Sequence, residues 1–177
     1  MTVAADPGAQ RPEGFRRVAA VLAAQGHPHA PLWLDVPART CAAAAAALGV
    51  QVGQIAKSVV FRRLADSAAV LVVASGDRRV DEAKVAQLVG PLGRADAAFV
   101  KQQTGFSIGG VAPVAHVPQG PVAPGGAPPP VVLVDQDLFR FPAVWAAAGH
   151  PNGVFCLQPD DLLRLTGAPA ADVVEPA

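Results

Sequence analysis

The stretch Ile55-Ala56-Lys57-Ser58-Val59-Val60-Phe61 constrains the fold more than any other part of the chain. Its β-branched residues favour a strand, and at period two Ile55, Lys57, Val59 and Phe61 share one face while Ala56, Ser58 and Val60 share the other. Both faces are largely apolar, so a lysine on the bulkier one is an anomaly. Burying an ammonium costs several kcal/mol unless it is paired, hydrogen-bonded or open to a water-filled cleft. Two readings are open: the Lys57 stem covers Val59 and its head reaches water, or the charge sits in a pocket floor to hold an anionic group. By strand parity Ser58 points the other way, which disfavours a lysine-activated serine nucleophile.

Around this strand the pattern alternates between helix and strand. Phe15, Val18, Ala19 and Leu22 recur at helical spacing, with Glu13 four residues before Arg17 and Gly26 as a stop. Leu32 to Val36 reads as a short strand between prolines. Thr40 is placed to cap an alanine helix that runs to Leu48 and closes at Gly49. Ala69 to Ala74 is a second strand followed by the turn Ser75-Gly76-Asp77, so it forms a hairpin with the first or brackets a wider loop. Asp81 caps a helix through Val89, and Asp96 caps another ending at Thr104-Gly105. Val131 to Val134 is a strand ending in Asp135. A helix from Leu138 to Ala148 is expected from Phe141, Val144, Trp145 and Ala148, which would make Phe139, Phe141 and Trp145 helix packing. The strand Val154 to Leu157 and the helix Pro159 to Leu165 complete the core, and the tail from Gly167 is expected to be loosely held.

The 177 residues suit one domain able to bury a real core. The domain is expected to comprise residues 27–173, with 1–26 a helix packing on it and 119–130 a Pro/Gly-rich surface loop within it. The formal net charge is zero, so nucleic acid would be met by a local patch and not by a long-range field. Cys41 and Cys156 lack the spacing of a disulfide framework or a zinc site. The first ten residues lack the order of a signal peptide, and the apolar runs fall well short of the roughly 20 residues of a membrane span. A cytoplasmic protein outside the membrane is the expectation.

Beyond Lys57, the segment Gly105 to Pro113 is the next candidate for chemistry. Gly109-Gly110 can aim successive N–H groups at a bound oxygen, or can be an ordinary tight turn; its spacing matches neither phosphate-loop fingerprint. Asp135 either meets Lys57 or a substrate amine, or caps the helix expected after it. The histidines alternate with prolines and show no metal-ligand pairing; His116 stands out because it lies a few residues beyond the glycine loop.

The run Thr40-Cys41-Ala42 to Val50, the lysine strand, Thr104-Gly105-Phe106-Ser107-Ile108-Gly109-Gly110-Val111-Ala112-Pro113, Val131 to Asp135, and Ala148-Gly149 into Val154 to Leu157 together resemble the YbaK/EbsC family. These are free-standing relatives of the editing domain of bacterial prolyl-tRNA synthetases. The resemblance spans about Leu32 to Val173. It implies an α/β (α+β) domain with a mixed, partly closed sheet surrounded by helices, and hydrolysis of the ester joining a mischarged amino acid, cysteine or alanine on proline tRNA, to the tRNA 3′ end. It further implies Lys57, Gly109 and Gly110 as catalytic, with Ser58, Phe106, Ile108, Asp135 and His116 expected at the substrate. No metal, cofactor or covalent nucleophile is implied; the partners are the tRNA acceptor end and prolyl-tRNA synthetase. The competing reading is a non-catalytic module that binds the aminoacyl-tRNA end or a related nucleotide in the same pocket.

Overall fold

The computed structural model describes residues 10–119 and 128–177, so most of the loop expected at 119–130 lies outside the described residues. Helix α1 (Glu13–Ala24) buries Phe15, Val18 and Leu22. Strand β1 is only Leu32–Trp33, shorter than the expected run to Val36. Helix α2 (Cys41–Leu48) is capped by the Thr40 hydroxyl, which accepts the Ala43 N–H at 3.1 Å, and is closed by Gly49 at φ 68°. A 3₁₀ turn then leads into β2 (Ile55–Arg63).

Strand β2 forms an antiparallel hairpin with β3 (Ala69–Ser75), whose residues are all buried. A strand covered on both faces requires such a continuous apolar run. Helix α3 (Glu82–Val89), the short strand β4 (Leu92–Arg94) and helix α4 (Ala97–Thr104) come after it, with Asp81 and Asp96 as caps. Next come β5 (Val131–Asp135), β6 (Val144–Ala147), β7 (Gly153–Leu157), α5 (Pro159–Thr166) and β8 (Ala170–Ala171). The mixed sheet runs β1-β7-β6-β2-β3-β5-β8, and β4 pairs with β2 off that path. One face carries Ala56, Leu71 and Val73 against α1, α4, α5 and Phe106; the other carries Phe61, Val70 and Val72 against Val85 of α3. Helix α2 seats Ala44 and Ala45 on Ile55.

Two expectations are corrected. Residues 138–148 are not a helix: a 3₁₀ turn spans Gln136–Arg140 and β6 begins at Val144. Pro142 supplies no N–H and drives Phe141 to an extended conformation, φ −109° and ψ 144°. Val144 and Ala146 then alternate inward, the period of a strand, and β6 lies parallel to β2. Phe139, Phe141 and Trp145 therefore do not share a helix face. The tail is not loose either, since β8 lengthens the sheet beside β5 and Val173 and Val174 are buried against α3.

Candidate active site

Strand β2 is only partly covered along one of its edges. Strand β6 pairs with it at Ile55 and Ala56, and β4 pairs from Phe61 to Arg63. Between them, from Lys57 to Val60, no strand among the described residues covers that edge, and a cavity of about 420 Å³ opens there. Lys57, Ser58, Ile108 and Gly109 all line it, together with Cys41 at the start of α2, Trp145 and Ala146 of β6, and His150. The sheet itself is interrupted, so the lysine strand and the glycine loop meet across the gap.

Lys57 keeps its place on the Ile55 face, and its Nζ donates to the Arg78 carbonyl at 2.5 Å. Among the described residues that carbonyl is its only hydrogen-bond partner, which leaves further donors on the ammonium for a ligand. The carbonyl is not free to drift. Arg78 Nε bonds Asp137 at 2.9 Å, and Arg140 bonds Asp77 at 2.6 Å, so ion pairs clamp both sides of the turn that carries it.

Gly109 adopts φ 95° at the cavity wall, while Ile108 is 57% exposed at its mouth. Gly110 is a different case. Its N–H donates to the Ser107 carbonyl at 3.1 Å, closing a turn, so the expected pair of N–H groups aimed at one oxygen does not form. Glycine is required at 110 for packing: an added Cβ would lie 2.8–2.9 Å from the His150 backbone.

Phe106, His116 and Asp135 are not among the residues lining the cavity. Phe106 is buried beneath the Arg17 guanidinium, 4.5 Å from its ring centre. His116 meets Phe106 edge-on and its Nε2 donates to the Ala112 carbonyl at 2.7 Å; burial pushes the imidazole pKa down. Both residues brace the loop that carries Gly109. Asp135 is fully buried and accepts the Ser75 N–H at 3.0 Å and the Asp137 N–H at 2.8 Å. Of the two readings open to it, capping is the geometry present, and no Lys57 contact forms. Burial pushes its carboxyl pKa up, with the two N–H donors opposing. Replacing Asp135 by Asn is expected to remove one acceptor and cost about 1–3 kcal/mol of stability, seen in urea denaturation, while turnover per folded molecule is retained. A loss of turnover with unchanged stability would return Asp135 to the substrate.

Two cavity residues gave little warning. His150 sits in a Gly-His-Pro turn with no helical partner, yet its Nδ1 accepts the Asn152 N–H at 3.1 Å, which leaves the proton on Nε2 in the neutral ring. The ring stacks on Trp33 at 4.8 Å, and the Arg11 guanidinium covers Trp33 at 4.6 Å. Burial, then the Arg39 charge, lowers the His150 pKa. Cys41 reads as an inert small residue, and burial raises its thiol pKa even against the Lys57 charge. The thiol therefore stays protonated in the cavity wall.

A family model described as the aminoacyl-tRNA editing domain matches residues 35–165. The uncharacterized protein YwhH of Bacillus subtilis (strain 168) is 36% identical over 129 residues, which is 72% of this chain and 75% of that protein. The crystal structure of a protein named as a candidate trans-editing enzyme for prolyl tRNA synthetase has a TM-score of 0.81 and 39% identity, covering 94% of this chain and 100% of the other. The crystal structure of hypothetical protein APE2540 has a TM-score of 0.79 and 33% identity, covering 90% and 99%. With the lysine strand and the glycine loop joined at one cavity, the chain belongs to the aminoacyl-tRNA editing domain family, in its YbaK/EbsC-like branch.

Proposed function

We propose that this chain hydrolyses the ester between a mismatched amino acid and the 3′ end of tRNA, with cysteine and alanine on proline tRNA as its substrates. The observation that carries this reading is the cavity at the interrupted edge of β2, where a lysine with spare donors meets the Gly109 loop in largely apolar surroundings. The Lys57 ammonium holds the phosphate or ribose oxygens of the terminal adenosine and fixes the ester in place. A water, or the substrate's own thiol when the amino acid is cysteine, attacks the acyl carbon. The Cys41 thiol, kept protonated by burial, takes no nucleophilic part.

Selection against larger amino acids is set by cavity size, because a single methylene in an apolar pocket distinguishes substrates by only about 1–3 kcal/mol. A chain with zero formal charge gains little from the phosphate backbone, which fits action at the acceptor end beside prolyl-tRNA synthetase. The test is a deacylation panel covering proline tRNA charged with cysteine, alanine and proline, and other mismatched pairs. Fast release of cysteine or alanine with proline spared is expected. Saturable binding without turnover across the whole panel would replace this reading with the non-catalytic module.

A further inference from the structure

We propose that the aminoacyl group of the substrate lies along the open edge of β2 and exchanges two hydrogen bonds with the Ser58 main chain, in the place a paired strand residue would take. This inference rests on the deacylase reading and adds contacts that the lysine side chain does not supply.

The hydrogen-bond parity of β2 fixes which groups face the gap. The Arg63 N–H donates to the Ala68 carbonyl across the hairpin at 2.8 Å, and the register with β3 is unbroken from Arg62 back to Ala56. In an antiparallel pair the bonded residues alternate, so Phe61, Val59 and Lys57 also point their N–H and C=O at β3. Leu64 obeys the alternation, because its N–H donates to the Pro91 carbonyl on the opposite side. The N–H and C=O of Ser58 and Val60 therefore face away from β3. At Ala56 and Arg62 that same edge is covered by β6 and β4, but at Ser58 and Val60 it faces the cavity. At Ser58, beyond the last pair with β6 and short of the first with β4, the strand edge is left with its ladder groups unpaired, inside a wall that is otherwise mostly apolar.

A second observation falls on the same residue. The Ser58 hydroxyl is buried and has no hydrogen-bond partner among the described residues. It lies on the strand face shared by Ala56 and Val60, the side of the sheet toward Val100, Val111 and Ala146. Ser58 thus presents a main-chain donor and a main-chain acceptor to the cavity, with its hydroxyl buried on the strand face beside them.

An α-aminoacyl ester matches that set. Its ammonium donates and its carbonyl accepts, and one carbon separates them, as in a residue of a neighbouring strand. Paired with Ser58, the ammonium meets the Ser58 carbonyl and the ester carbonyl meets the Ser58 N–H. Directly opposed residues point their side chains to one face, so the amino-acid side chain lies on the face of the strand that carries Ala56, Ser58 and Val60. The contact to the ester carbonyl gains strength as hydrolysis proceeds. When water adds to the acyl carbon, the carbonyl electron pair moves onto that oxygen; it returns as the bond to the 3′ oxygen breaks and that oxygen takes a proton from the added water. The Ser58 N–H donates to this oxygen throughout, a role closed to Gly110 because its N–H is already used.

The experiment uses the whole protein and 3′-alanylamino-3′-deoxyadenosine, in which an amide replaces the labile ester. Binding is expected to slow amide exchange at Ser58 by roughly tenfold or more. The propionyl analogue, which lacks the amine, is expected to bind at least about tenfold more weakly. Replacing residue 58 by the α-hydroxy acid counterpart of serine turns its N–H into an ester oxygen and leaves the Lys57 carbonyl in the β3 ladder as a weaker acceptor. That protein, shown to be folded by its melting curve, is expected to lose about tenfold or more in kcat with little change in KM. Unchanged exchange at Ser58 with equal binding of both analogues overturns the proposal, as does failure of the alanyl analogue to bind. If charged tRNA is hydrolysed normally by the residue-58 ester protein, the edge contact fails and the deacylase reading stands. If no charged tRNA is hydrolysed but Ser58 is protected by the alanyl analogue, the deacylase reading fails and the edge contact stands.

Discussion

A Lys57→Ala protein is expected to release the amino acid from a mischarged tRNA roughly 10²–10³-fold more slowly than the parent, the loss typical of removing one group that holds a reacting centre. Its fold is expected to survive. Lys57 carries no ion pair among the described residues, and the Arg78 carbonyl it leaves behind belongs to a partly exposed turn that water can reach. Stability is therefore expected to change by no more than about 1 kcal/mol. Lys57→Arg separates charge from position: the guanidinium keeps the charge but brings a longer, planar fork to a site built around a single carbonyl acceptor. Its rate is expected to fall close to that of the alanine variant. Deacylation rates read beside urea denaturation decide the matter, and a folded Lys57→Ala protein with full activity on every substrate the parent hydrolyses would remove Lys57 from the mechanism.

The residues placed correctly from sequence are those whose signals are local. Thr40, Asp81 and Asp96 announce their helices because a cap is a contact within one turn of chain, and each accepts the expected N–H. Lys57 stood out because a charge in a β-branched run is anomalous without any tertiary information. The helix expected at 138–148 failed because Val144-Trp145-Ala146-Ala147-Ala148 satisfies both periods, and only Pro142 told them apart. Strand β4 escaped because Leu92 to Arg94 is too short to show a period.

Within the candidate site, Lys57, Ser58, Ile108 and Gly109 meet at the cavity, while Phe106 and His116 stand behind the loop and Asp135 caps a turn. Nothing local distinguishes these cases. The cavity exists because β6 stops covering β2 after Ala56 and β4 resumes at Phe61, a long-range register that no short window of sequence carries. His150 enters the wall by the same route, from the turn after β6.

The glycine pair shows how one motif can hide two mechanisms, and a pair of substitutions separates them. Gly110→Ala drives a methyl group against the N, Cα and C atoms of His150 at 2.8–2.9 Å, and backbone atoms cannot step aside as the end of a side chain can. The loop must move. Overpacking of this kind costs about 1–3 kcal/mol, and a shift near 1 Å at a reacting centre can lower the rate by roughly 10²-fold. Gly109→Ala meets only Pro151 Cγ at 3.9 Å, ordinary contact, so its penalty comes from holding alanine at φ 95°. That strain is about 1–3 kcal/mol, and a loop that relaxes it shifts Gly109 in the cavity wall. Urea denaturation is thus expected to show a loss of stability for both variants. A third protein, His150→Ala, tests which part of His150 the Gly110→Ala methyl meets. It leaves the 150 backbone in place, so it relieves nothing in Gly110→Ala, and the double variant is expected to lose at least the sum of the single stability costs. Recovery of stability in that double variant would show that Gly110 must clear the imidazole and not the His150 main chain.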